Sequence, residues 1–130
     1  MELIAILGAA LTFGGMTLFS FGFAPALFQV YDTADARRGI RGTFPHYYLF
    51  VVACAGVTAA LCMTADTLSA VLFAAIAIST LFARQVLMPM INAATDAENR
   101  RRFAQLHGAS VALQLVQIGL AAWAVLRLAS

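Results

Sequence analysis

Residues 68–90 read LSAVLFAAIAISTLFARQVLMPM, a run whose only charge is Arg84. As a helix at ~1.5 Å rise per residue, a segment this long crosses the ~30 Å hydrocarbon core of a bilayer. Three further blocks of the same character surround it, at about 3–28, 44–63 and 103–126. The chain therefore reads as all-α: an integral membrane four-helix bundle, one transmembrane domain over residues 1–130. A membrane barrel would show short segments of alternating polarity instead. With 62% apolar and 11% charged residues, there is too little polar surface to solvate a water-soluble globule of this size.

The arginines set the expected orientation. Arg37, Arg38 and Arg41 lie between the first two blocks, and Arg100, Arg101 and Arg102 between the last two. The opposite side has only Arg127. Cationic flanks stay on the cytoplasmic side during insertion, which puts loops 31–43 and 91–102 in the cytoplasm and both termini outside. The expected location is a bacterial inner membrane. The first block is too long for a secretory signal and lacks a cationic start, so it is expected to remain as a helix. The net charge of +2 is local to the loops and is read as a topology signal with lipid contact, not as a nucleic-acid surface. Cys54 and Cys62 fall ~12 Å apart along one helix and cannot bridge each other.

Packing has its own signature. Gly8, Gly15 and Gly22 recur every seven residues and form a stripe where a neighbouring backbone can approach closely. Pro25, late in the same helix, is expected to kink or end it. The two cytoplasmic loops share a pattern of acid, arginines, aromatic and histidine: Asp35 to His46, and Asp96 to His107. Duplication of a helix pair is one origin for it, and shared topology pressure is another.

The unusual polar residues gather at the cytoplasmic end. On the fourth helix His107, Ser110, Gln114 and Gln117 are spaced three, four and three, which places them on one inward face because lipid cannot satisfy their hydrogen bonds. Arg84 precedes the expected helix end at Ile91 by seven residues, ~10 Å below the interface, and is followed by Gln85, Pro89 and Asn92. No carboxylate within the spans is available to it. Two readings are open: Arg84 snorkels or bonds Gln114 and helix-end carbonyls, or it holds an anionic ligand with His107, Ser110, Gln114 and Asn92. His46 and His107 enter at similar depth, so a further alternative is an axial histidine pair for haem b. No zinc set is convincingly placed.

Several runs carry a family resemblance: Phe23-Ala-Pro25-Ala-Leu-Phe28, Phe44-Pro45-His46-Tyr47-Tyr48, Arg84 with Pro89 and Asn92, and Phe103-Ala-Gln-Leu-His107-Gly-Ala-Ser110 followed by Gln114. Together they resemble the transmembrane-protein-205-like family, over nearly the whole chain. The resemblance implies a small four-helix membrane protein without an established molecular activity. Gln114 stands where that family usually has asparagine, and His46 where it often has an aromatic. A more distant similarity, through the proline run ending in Tyr31, is to HemJ-type protoporphyrinogen oxidases and copper-resistance D-type membrane proteins. HemJ-type enzymes carry a histidine early in the first helix, and this chain has none there.

No nucleophile with a base, no paired carboxylates and no phosphate loop are visible, so the residues lean away from an enzyme. The favoured expectation is a non-enzymatic accessory, ligand-binding or transport-related bundle with a polar pocket at its cytoplasmic end. The alternative is a haem- or porphyrin-binding oxidoreductase using His46 and His107. A bundle this narrow also suggests a homo-oligomer or a subunit of a larger membrane complex.

Overall fold

The computed structural model describes residues 2–130, and among them there are helices and no strands. Four helices are long and apolar enough to cross a membrane: α1 Glu2–Val30, α2 Thr33–Ala65, α3 Thr67–Asp96 and α4 Arg100–Ala129. This is a four-helix integral membrane bundle. Connections this short force successive helices antiparallel. Each packs chiefly on the two beside it, α1 and α3 both on α2 and α4. Glu2, Asp66 and Ser130 therefore share one end, and the arginines at 37, 38, 41 and 100–102 share the other.

The helices overrun the apolar blocks. Arg37, Arg38 and Arg41, expected in a loop, lie in the first turns of α2, and α3 continues five residues past Ile91 to Asp96. Capping explains this extension, because a helix needs satisfied end groups and not an apolar face. The Asp32 carboxylate accepts from the Asp35 amide at 2.8 Å, and the Asn99 side chain from the Arg102 amide at 3.1 Å. α3 stops where Glu98 takes φ 55°. The amides of Glu98 and Asn99 then turn back onto the carbonyls of Thr95 and Ala94, at 3.1 and 3.0 Å.

The buried residues form a seam. Most of them line it: Ala5, Ala9, Thr12, Met16 and Phe19 on α1; Tyr48, Val51, Ala55, Thr58 and Cys62 on α2; Ser69, Phe73, Ile76, Thr80, Ala83 and Leu87 on α3; and Gln117, Ala121 and Ala124 on α4, with Ala36, Tyr47, Ala70 and Ala94 buried beside it. Spacings of three and four alternate throughout, the 3.5-residue period of knobs-into-holes packing. Many of these side chains are small or hydroxylic, while leucines such as Leu3, Leu7 and Leu126 face outward. Lipid is as apolar as leucine, so burial sorts residues by size and hydrogen bonding instead of hydrophobicity.

Two stripe glycines carry the α1–α2 contact. A Cβ on Gly8 would lie 2.5 Å from Thr58 Oγ1, and one on Gly15 would lie 2.5 Å from the Phe50 ring. Gly22 faces only its own helix, at Leu18, so the stripe does not extend to it.

Of the two outcomes expected of Pro25, a kink or an end, α1 does not end there. The turn before it, Leu18–Phe23, widens to π geometry, and α1 then runs on to Val30. α3 repeats the device with Ala83–Leu87 ahead of Pro89. Each proline leaves the carbonyl four residues back without its donor, and those carbonyls, Phe21 and Gln85, lie inside the widened turns. Bonding shifts to the fifth residue: the Ala24 amide donates to Phe19 and the Met88 amide to Ala83. The first helix of each pair therefore carries the same widened turn at the same end.

Candidate functional site

The arginine-rich half holds two separate polar groups. The first is internal and centres on Gln114. Its side-chain amide donates to the Tyr47 hydroxyl on α2 at 3.1 Å and to the Ser20 hydroxyl in the widened turn of α1. One turn further from the arginine-rich end, Gln117 donates to Ser79 at 2.8 Å and to Thr80 at 3.0 Å on α3. α4 is thus bonded to all three other helices by two glutamines. Lipid offers these amides no partner, so the polar spacing on α4 must turn inward.

Aromatic rings fill the space around Gln114. Tyr47 stacks on Phe19 with centroids 4.0 Å apart, and Phe44 meets Phe19 edge-on at 5.1 Å. Tyr48 lies 5.3 Å from Phe44 and beside the half-buried Ser110. This level of the bundle is packed with side chains, where a shared central pocket was expected.

The second group is Arg84, in the groove between α2 and α3. Its Nε donates to the Pro45 carbonyl at 3.3 Å and its Nη1 to the Gln85 side-chain oxygen at 2.9 Å. It makes no hydrogen bond to His107, Ser110 or Gln114 among the described residues. Arg84 is twelve residues from Asp96, ~18 Å along α3, whereas Pro45 is only four residues, ~6 Å, from Arg41. Because Arg41 pairs with Asp96 at 2.7 Å, the Arg84 side chain must reach toward the arginine-rich end to meet Pro45. Its anchor is thus a mid-helix carbonyl of α2.

No carboxylate pairs with Arg84 among the described residues. Asp96 is held by Arg41 through two hydrogen bonds of 2.7 and 3.0 Å, Asp35 lies 3.2 Å from Arg38, and Asp66 is bound by Arg127 at the opposite end. A guanidinium stays charged at any ordinary pH. Keeping that charge in a membrane helix costs about 2.5–3.5 kcal/mol at the helix centre on insertion scales, and less toward the interface, unless it is neutralised or hydrated.

The remaining candidates are dispersed. His46 and His107 are both exposed, and His107 stacks on Phe103 of its own helix at 5.3 Å. No hydrogen bond or ring contact between the two imidazoles is present among the described residues. Asn92 is half-buried on α3, two turns beyond Arg84. Among the described residues no three histidine, cysteine or acidic side chains cluster as a metal set.

Ser20, Tyr47, Ser79, Thr80 and the Pro45 carbonyl complete these groups; Pro45 and Tyr47 stand in the run Phe44 to Tyr48, and none of the five had been given a site role from the sequence. Ser20 illustrates why. Its hydroxyl also bonds the Met16 carbonyl at 2.7 Å, the local solution open to any helical serine, so sequence spacing gives no pointer to Gln114. The aromatic run Phe44 to Tyr48 was a usable signal, since a tyrosine hydroxyl inside a membrane needs a partner.

Residues 7–100 match the family described as a domain of unknown function, DUF4149. The chain belongs to the DUF4149 family. The matched region runs from α1 through α3 and includes Ser20, Pro45, Tyr47 and Arg84. No curated protein and no solved structure matches the chain. In this DUF4149 member the partners of Gln114 are thus inside the family region, while Gln114 itself lies beyond it.

Proposed function

We propose that this small membrane protein is a non-enzymatic ligand-binding bundle, acting as an accessory or transport-related component, with Arg84 as the residue that holds an anion. The observation carrying this reading is the half-buried Arg84 with only neutral partners, the Pro45 carbonyl and the Gln85 side chain. Gln114 and Ser110 serve as the internal brace that fixes α4 against α1 and α2. Asn92 and His107, at the same end, are outer polar residues open to an entering ligand. The reading places that end in the cytoplasm of a bacterium, with both termini outside, because six arginines lie there against Arg127 at the other. It keeps the closer likeness to transmembrane-protein-205-like proteins, which rests in part on this chain's run Phe103 to Gln114, outside the region matched to DUF4149. Because aromatic rings and the seam fill the centre, any solute route would run between subunits, and a homo-oligomer or larger complex is part of the proposal.

The test is a thermal-unfolding screen of the purified full chain against phosphate, di- and tricarboxylates and anionic phospholipid. A ligand at a hundred times its Kd should stabilise the fold by about 2.7 kcal/mol, and Arg84→Gln should abolish that gain. Absence of any anion effect, or an equal effect in Arg84→Gln, would refute the reading. The haem alternative gains no support from two exposed histidines without a contact to each other. A Soret band that appears on haem addition and is lost in His107→Ala would revive it.

A further inference from the structure

The anion can be narrowed to a class, granted that Arg84 binds one. A guanidinium has five N–H donors, and Arg84 uses one on Pro45 and one on Gln85. Three remain without an acceptor among the described residues, enough for a forked contact to two oxygens of one phosphate. Gln85 is exposed on the outer surface, and the bond from Arg84 to it is exposed as well. The free side of the guanidinium therefore opens toward lipid and away from the packed centre.

Depth agrees with a headgroup. The Pro45 carbonyl lies one turn, ~6 Å, inside Arg41. Arg41 and Asp96 remain 47% and 61% exposed in their side chains and so mark the water-facing rim. One turn deeper, helical register puts Leu49 on the Pro45 side of α2 and Leu81 on the Arg84 side of α3, 47% and 45% exposed. A phosphate near Arg84 would thus have apolar side chains directly beneath it, where acyl chains run. Charge at the rim selects further. Arg37, Arg100, Arg101 and Arg102 have no carboxylate partner among the described residues, which favours a headgroup with net negative charge over a zwitterionic one.

We infer that the groove between α2 and α3 holds one anionic phospholipid, its phosphate on Arg84 and its acyl chains along Leu49 and Leu81.

The experiment is native mass spectrometry of the full chain in detergent, titrated with phosphatidylglycerol or phosphatidylcholine. One phosphatidylglycerol should be retained at a tenfold or more lower concentration than phosphatidylcholine. Arg84→Gln should lose that advantage by at least tenfold, Arg84→Lys should keep part of it, and Arg127→Gln, at the opposite end of the bundle, should change it less than threefold. Equal retention of the two lipids by the unaltered chain overturns the inference, as does unchanged retention in Arg84→Gln. If Arg84→Gln does not fold, Leu81→Trp in a Trp123→Phe background reports directly: acyl-brominated phosphatidylglycerol should quench it more than the brominated phosphatidylcholine, and equal quenching overturns the inference. Protection by inorganic phosphate or a carboxylate through Arg84, without phosphatidylglycerol selectivity, would sink the lipid assignment and leave the anion reading standing. Loss of both effects would remove both.

Discussion

Gln114 on α4 and Tyr47 on α2 are hydrogen-bonded across the bundle, Nε2 to Oη at 3.1 Å, and the same amide meets Ser20 on α1. One side chain therefore holds three helices together at the level of the first widened turn. Interhelical bonds of this kind in membranes are worth about 0.6 kcal/mol on average and up to about 1.7. Tyr47→Phe, which spares the Ser20 bond, should destabilise by about 0.5–1 kcal/mol. Gln114→Leu, which removes both, should cost about 1–2 kcal/mol. Unfolding in mixed micelles with rising dodecyl sulfate measures the difference, and equal losses for the two variants would mean that Ser20 contributes nothing.

The spans were legible because their signal is a composition over twenty residues, which no tertiary detail can hide. The inward turn of Ser110, Gln114 and Gln117 on α4 was legible for the same reason, since they stand out against alanine and leucine. Partners were not. Whether Arg84 meets Gln114 or Pro45 depends on which groove its side chain enters, and a carbonyl acceptor has no letter in the sequence. His107 shows the limit of spacing as well: its place in the three-four pattern suggested an inward ring, but near the helix end it stacks on Phe103 and stays exposed. Helix ends past the apolar blocks were hidden because caps, not hydropathy, decide them.

The glycine stripe gives a graded test. A methyl on Gly8 would press on Thr58 Oγ1, whose hydroxyl is tied to the Cys54 carbonyl at 2.7 Å in the buried seam. Gly8→Ala should destabilise by about 1–3 kcal/mol, the usual cost of overpacking. On Gly15 the methyl would meet the far edge of Phe50, a ring 40% exposed to lipid that can swing away. Gly15→Ala should therefore cost less. Gly14 has nothing within 4 Å, so Gly14→Ala should be neutral or gain up to about 1 kcal/mol from helix propensity. Thermal melts of the three variants should rank in that order.

Glu98 provides a stabilising substitution. It is the non-glycine residue with positive φ, 55°, at the turn that closes α3. L-residues in this region are strained by roughly 1–2 kcal/mol, and glycine is the usual occupant of such a helix end. Glu98→Gly should relieve the strain at some expense in chain entropy, for a net gain of about 0.5–1 kcal/mol. A melting temperature that falls in Glu98→Gly would show that the side chain makes a compensating contact.

At the opposite end, Asp66 ties the single-residue turn between α2 and α3 to the last turn of α4. Its carboxylate accepts from Arg127 at 2.7 and 3.1 Å and from the Ser69 hydroxyl at 2.6 Å. The hydrogen bond from Arg127, followed by that from Ser69, holds the carboxyl well below the usual carboxylate range. A folded-state pKa lower than the unfolded one means that the unfolded chain binds more protons, so stability falls as pH falls. The contribution should be complete above the unfolded value of about 4 and should fade below it, through the lower folded value. Asp66→Asn keeps a side-chain oxygen for the Ser69 amide, a capping role asparagine fills well, and removes the charge together with one of the two oxygens that accept from Arg127. The variant should therefore melt lower than the unaltered chain at pH 7, with the gap closing as pH drops below about 4. Parallel curves across that range would show that the ion pair with Arg127 adds nothing beyond the cap.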